Sequence, residues 1–214
     1  MSNGNKDSNL KEKLKQALAS TFKVISDDFK INDKLEKNRS SNKFDFFELN
    51  NFSNRDDFIK ARAESDSSAL KKKFSSENIY KKNLPSNSSC RSLYSIAERI
   101  RCESLGGQML KGIQKNFTEN YKQIINVKKK DQLKTKEDVP VTEAFELYML
   151  NKFHDIELNS LTTKMLNYWK NDFDKSIEKH IKFLKDNLEN QDNFSSKFSE
   201  ILQEMDIFQN EDNE

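Results

Sequence analysis

Cysteine, glycine, proline and histidine are all scarce in this 214-residue chain, and each scarcity excludes something. Two cysteines do not make a disulfide framework. Cys90 and Cys102 stand twelve residues apart in a stretch that reads as helix, which would separate them by roughly 18 Å, too far to bridge. The plain inference is a reducing cytoplasm. No apolar run approaches the ~18 residues of a membrane span, and no signal peptide opens the chain. The only histidines, His154 and His180, do not combine with the cysteines at zinc-ligand spacing. Nor does either pair with a cysteine as a nucleophilic couple, because no local third group would orient it. Neither GxxxxGK[ST] nor GxGxxG occurs, so the chain should not hydrolyse ATP by itself. A charge of one sign is also lacking: 37 Lys+Arg against 35 Asp+Glu leaves +2. A dedicated nucleic-acid binder carries a clear basic excess. The runs Lys71–Lys73 and Lys128–Lys130 have no interleaved aromatics, and read as a solvated face and a charged connector.

What is present is charge and phenylalanine. Hydrophobic and charged residues are equal at 34% each, and mean hydropathy is −0.93. Sixteen phenylalanines supply large anchors for a modest core. This balance fits amphipathic helices better than a sandwich. The expected fold is a mainly α, multi-helix domain with a small N-terminal β-hairpin or meander. Residues 1–8 read as a disordered leader, 9–208 as the domain and 209–214 as an acidic tail. Leu10, Leu14 and Leu18 mark a short helix to about Ser20. Phe22, Val24, Phe29 and Ile31 alternate loosely around a turn at Ser26-Asp27-Asp28, and Phe44–Leu49 is a second strand candidate. Residues 32–43 read as a loop between them. Helical patterns follow at 55–74, 91–105, 109–126, 142–153, 160–189 and 193–206, with Pro140 closing a charged connector. There is no internal repeat.

Pro85 to Tyr121 is the most distinctive stretch. Three of the four glycines, Gly106, Gly107 and Gly112, fall within seven residues of one another. Pro85 and a Ser/Asn run are the chemistry of a loop that delivers an N-cap. Leu93, Ile96, Ala97 and Ile100 then share one helical face. Glu98 and Arg101 are neighbours at i, i+3, and Arg99 and Glu103 at i, i+4. Glu98 and Arg101 border the apolar stripe, which favours partial burial. These charges form either an interhelical or intersubunit network, or a solvated face. Met109, Ile113, Phe117, Tyr121 and Ile124 begin a second stripe. Each glycine costs about 1 kcal/mol in a helix, so three together predict a sharp turn or a close backbone approach after Leu105.

The run CRSLYSIAERIRCESLGGQMLKGIQKNF resembles the signature of the T subunit of the aerobic, ATP-dependent cobaltochelatase. In that family an Ala-Arg and an aromatic precede Ala-Val-Glu-Gln-Ala-Arg-Val-Glu-Ala-Ile-Gly, followed by Met, Gly-Val-Ala and Asn-Leu. The agreement, in order and spacing, involves Arg91, Tyr94, Ala97, Glu98, Arg101, Glu103, Leu105, Gly106, Met109, Gly112, Ile113, Asn116 and Phe117. ARAESDSSALKKKF extends it through Arg62, Asp66, Ala69 and Leu70. Trp169, Gln191, Phe194, Leu202 and Met205 continue it more loosely. Near Tyr80 the family tends to carry a histidine.

The resemblance implies a subunit without catalytic residues, cofactor or metal of its own, in a complex that uses ATP, Mg2+ and Co2+. That complex inserts Co2+ into hydrogenobyrinic acid a,c-diamide in cobalamin biosynthesis. Its expected partners are the AAA+ ATPase (S-type) subunit and the large (N-type) subunit that holds the macrocycle, in a hetero-oligomer without membrane or nucleic acid. The interface or structural residues implied are Arg62, Asp66, Arg91, Glu98, Arg101, Glu103, Gly106, Met109, Gly112 and Asn116. The resemblance spans nearly all of this chain but only the N-terminal part of a full T subunit. The von Willebrand A-type domain and its Asp-x-Ser-x-Ser motif are absent from the sequence. An adaptor for another AAA+ motor is the alternative function, and a nucleic-acid-associated helical protein is a third that the charge balance disfavours.

Overall fold

A computed structural model describes residues 3–29, 55–127 and 135–205 of the chain. Ten α-helices run in order through these residues: α1 Asn3–Ser26, α2 Arg55–Phe74, α3 Glu77–Lys82, α4 Ser88–Met109, α5 Lys111–Val127, α6 Val141–His154, α7 Ser160–Asn167, α8 Lys170–Ile177, α9 Ile181–Asp186 and α10 Gln191–Gln203. α4 is the central element, packed on α2, α5, α6 and α10, while α1 lies on α2.

No strand occurs among the described residues, and the proposed hairpin fails at its first half. Phe22 and Val24 lie in α1, which runs on to Ser26 and begins at Asn3, inside the polar leader. The face that packs is Leu18, Phe22 and Ile25, all buried, whereas Val24 is 61% exposed. Spacing of four and three is helical, so the apparent alternation of Phe22 and Val24 misled. The second strand candidate, 44–49, the loop at 32–43 and the acidic tail lie outside the described residues.

The expected turn at Gly106-Gly107 is also corrected. α4 runs through both glycines to Met109, and the chain changes direction at Leu110, whose N–H still donates to the Gly106 carbonyl at 2.9 Å. The close approach exists, but it is made by a side chain. A Cβ on Gly106 would run into the buried Leu70 side chain of α2. Gly107 would meet Gln114 only at ordinary contact distance, and Gly112 has nothing within 4 Å. The stripe that α5 buries is Ile113, Phe117, Tyr121 and Ile125, with Met109 and Ile124 exposed instead.

The 160–189 segment is not one helix. It bends at Tyr168-Trp169 and passes through a short 3-10 helix, Glu178–His180. The bends keep αR backbone angles, so the apolar periodicity survives: Leu161, Met165, Phe173, Ile177, Leu184 and Leu188 are all buried. Trp169 fixes the first bend by donating its indole N–H to the Val139 carbonyl at 3.0 Å. Asparagines start the neighbouring helices. Asn87 accepts from the Ser89 and Cys90 N–H groups, Asn159 from Leu161 and Thr162, and Asn190 from Asn193.

Candidate functional site

The charged residues of the central motif point inward. Glu98 and Arg101 are 2% and 1% exposed. Their i, i+3 spacing on α4 lets the guanidinium fork meet both carboxylate oxygens, Nε to Oε2 at 2.8 Å and Nη2 to Oε1 at 2.9 Å. The remaining donors reach across the domain. Nη1 donates to the Leu188 carbonyl at 2.7 Å, and Nη2 to the Phe74 carbonyl at 2.6 Å. Phe74 ends α2, where helix carbonyls lack internal partners and favour a cation. Burial works against the Arg101 charge, but the bonds to Glu98, together with the negative charge that Glu98, Cys102 and Tyr94 can carry, raise the guanidinium above its ordinary pKa.

Gln191, the first residue of α10, completes this junction. Its Nε2 donates to Glu98 Oε1 at 2.9 Å, and its Oε1 accepts from the Ser76 N–H at 2.7 Å. The Phe194 ring lies 6.0 Å from the Arg101 guanidinium. One ion pair thus fastens the end of α2, the chain before α10 and α10 itself to the centre of α4. Cys102 Sγ lies beside it, and burial, then the Glu98 charge, push its thiol up to about 12.

A second polar cluster sits one turn further along α4. Glu103 is 2% exposed. Its Oε1 accepts from the Ser67 hydroxyl at 2.6 Å and its Oε2 from the Tyr121 hydroxyl at 2.5 Å. Burial raises the Glu103 pKa, against the pull of Arg99 and the two hydroxyls. Arg99, the expected i, i+4 partner, stands 3.8 Å away and makes its short contact with Glu146 of α6, Nη2 to Oε1 at 2.5 Å. His154, at the end of α6, faces Glu103 with Nε2 3.9 Å from Oε2, and that nitrogen has no hydrogen-bond partner. Burial drives its pKa down to about 4, so the imidazole is neutral at pH 7. Nearby, Asn116 of α5 donates to Asp66 of α2 at 2.6 Å, and burial raises the Asp66 pKa in spite of that bond.

The structure therefore divides the motif residues into two sets. Asp66, Glu98, Arg101, Glu103, Gly106 and Asn116 lie inside, at the contacts of α4 with α2, α5 and α10. Arg62, Arg91, Met109 and Gly112 lie on the surface. Arg62 acts on Asp66 only through its charge. Arg91 donates Nε to the Pro85 carbonyl at 2.8 Å and braces the entry loop of α4. Met109 is 43% exposed at the α4–α5 corner, beside Leu110 at 48%. Sequence reasoning missed Ser67, Tyr121 and His154 as partners of Glu103, and Gln191 as the partner of Glu98. A glutamine opening a helix just after an Asn break was the one visible hint of the last.

Among the described residues no group of three or more His, Cys, Asp or Glu side chains is arranged to hold a metal, and no helix is long and apolar enough to cross a membrane. No curated protein and no solved structure matches the chain. A family model does: the one described as cobalamin biosynthesis protein CobT matches residues 8–214. That span takes in every helix from α2 to α10 and both buried clusters, and on it the chain belongs to the CobT family of cobalamin biosynthesis proteins.

Proposed function

We propose that this chain is a non-catalytic subunit of ATP-dependent cobaltochelatase and acts by binding the AAA+ ATPase subunit. The complex inserts Co2+ into hydrogenobyrinic acid a,c-diamide, with the macrocycle held by the large subunit. The observation that carries this reading is the internal satisfaction of the motif's charges. Glu98 meets Arg101 and Gln191, Glu103 meets Ser67 and Tyr121, and Asp66 meets Asn116. Side chains committed in this way build a helix junction and are not free to turn over a substrate. What the motif leaves outside includes the α4–α5 corner, where Met109 and Leu110 are exposed and a Cβ on Gly112 would meet nothing within 4 Å. Exposed apolar residues without a packing role fit a partner surface.

The test is reconstitution of cobalt insertion from the ATPase and large subunits, with and without this chain, together with co-purification on the ATPase subunit. Insertion that depends on the chain, and co-elution, are the expected results. Binding to the ATPase subunit with no effect on insertion would make the chain an adaptor for another AAA+ motor. Absence of both binding and dependence would refute the subunit reading.

A further inference from the structure

A cleft of about 240 Å3 opens between α2, α3 and α4. α2 contributes Ser67, Ser68 and Lys71, α3 contributes Tyr80, and α4 contributes Ser95 and Arg99. Each long helix presents the same pair: a serine and, four residues on, a cation, Ser67 with Lys71 and Ser95 with Arg99. Residues four apart lie on one helix face, so both helices turn a cation, Lys71 and Arg99, to the same space.

The acidic groups nearby are turned away from it. Glu98 borders the cleft but is 2% exposed, and Arg101 and Gln191 hold its oxygens. Glu103, behind Ser67, is as deeply buried, with both oxygens taken by hydroxyls. Glu98 is thus the only acidic lining residue and is not accessible, while Glu146, 31% exposed, lies outside the lining and holds Arg99 from one side. Ser67 is committed to Glu103, which leaves Ser68 and Ser95 as the free-facing hydroxyls.

Lys71 differs from its neighbours. Lys72 pairs with Asp28 and Lys73 with Asp27. Lys71 has no carboxylate partner among the described residues, and its ammonium stands over the Tyr80 ring at 5.8 Å. Arg99 is oriented by Glu146 on one edge and keeps 38% of its side chain exposed.

We propose that this cleft binds a phosphate group, either free phosphate or a phosphate monoester. A guanidinium fork grips carboxylate and phosphate alike, and one edge of Arg99 is already occupied by Glu146. Single donors spread over two helices suit a tetrahedral oxyanion. A water takes about 30 Å3, so the volume holds a phosphate with a small organic extension. Tyr80 and Ile96 supply an apolar wall for such an extension. This site is independent of the subunit role proposed above, and its test does not use cobalt insertion.

The experiment is titration of the full chain with inorganic phosphate and with phenyl phosphate, followed by calorimetry and by amide shifts at Ser68, Tyr80 and Ser95. Saturable shifts at these residues are expected. Lys71→Met weakens binding at least about tenfold, as loss of one charge-assisted bond predicts. Lys72→Met, which removes an equal charge outside the cleft, leaves it unchanged. Tighter binding of phenyl phosphate assigns the site to a monoester, and equal binding assigns it to the phosphate alone. Absence of saturation with both probes overturns the proposal, as does equal weakening by the two lysine variants. Acetate binding as tightly as phosphate also overturns it.

Discussion

Leu70 occupies the space that a Cβ on Gly106 would need. An ideal Cβ there would lie 2.9 Å from Leu70 Cγ and nearer still to both methyl groups. Leu70 is fully buried on α2, so it has no free volume to retreat into. Gly106→Ala should therefore destabilise the domain by about 1–3 kcal/mol, the usual range for overpacking. Gly112→Ala has nothing within 4 Å to strike and lies in the first turn of α5. It should be neutral or gain up to about 1 kcal/mol from helix propensity. Urea denaturation of the two variants checks both signs. Equal destabilisation by both would mean that the glycines serve backbone freedom and not the α2–α4 contact.

The Glu98–Arg101 pair predicts a steeper loss. Arg101→Met leaves the Glu98 carboxylate buried with the Gln191 amide and the Cys102 thiol as its remaining donors, and strands the Phe74 and Leu188 carbonyls. Breaking a buried pair from one side costs about 3–5 kcal/mol, a large share of the 5–15 kcal/mol that holds a typical domain together. Arg101→Lys should rescue only part of this, because an ammonium cannot reproduce the fork. Glu98→Gln combined with Arg101→Met should be less damaging than Arg101→Met alone. A double-mutant cycle by chemical denaturation measures the coupling, and a single-variant cost below about 1 kcal/mol would remove the structural role.

Much of this fold was legible in the sequence, and the misses share a cause. α2 and α6 follow their apolar spacing and their breakers closely: the 55–74 pattern matches α2, and Pro140 precedes α6. The buried Glu98–Arg101 pair was foreshadowed by its position beside Leu93, Ala97 and Ile100. Three features could not be read locally. Glycine in a helix signals close approach, but the sequence does not say whether backbone or side chain approaches, and here it is Leu70. Periodicity reports which side chains share a face, not whether the backbone between them bends, so the breaks at Trp169 and Glu178 were invisible. Partners such as Gln191 for Glu98 are 93 residues apart and appear only once the helices are placed.

His154 should set the acid limb of stability. Burial lowers its pKa from 6.5 to about 4. The unfolded chain then binds more protons than the folded one between these values. Stability from this group is fully present above about pH 6.5 and is lost as pH falls toward 4, by up to about 3 kcal/mol. Glu103 acts with the opposite sign: its raised pKa places a cost on the folded state as pH rises above the ordinary carboxylate range. Aromatic neighbours Phe117 and Tyr121 line the imidazole, so His154→Phe is the matching variant. Its melting temperature should fall less between pH 6.5 and 4.5 than that of the parent. Parallel curves would show that His154 does not titrate across this interval in the unfolding reaction.

The cysteines should be chemically quiet. Cys90 and Cys102 are each 1% exposed. The Cys102 thiol, raised to about 12, carries almost no thiolate at pH 8. Cys90 Sγ is turned to the Leu202 carbonyl at 3.5 Å. Labelling by a thiol reagent should therefore follow the opening of the domain. The rate should rise in Arg101→Met by the factor that its stability loss dictates, and should be complete in urea. Rapid stoichiometric labelling of native protein would contradict this burial.

The α4–α5 corner gives the sharpest separation of folding from partner binding. Met109 and Leu110 are 43% and 48% exposed. The bond that shapes the corner belongs to the Leu110 backbone, whose N–H donates to the Gly106 carbonyl. Met109→Asp and Leu110→Asp leave that bond in place, and surface changes of this kind usually move stability by less than about 0.5 kcal/mol. An apolar anchor replaced by a charge at the centre of an interface typically costs at least about tenfold in affinity. The expected result is a pair of variants with parental melting curves and weakened capture of the AAA+ ATPase subunit. Phe183→Asp, at a comparably exposed position on α9, serves as the control and should bind normally. Corner variants that fold and bind like the parent would move the docking surface elsewhere on the domain and leave Met109 without a role. Loss of binding in Phe183→Asp alone would place that surface on the α9 side.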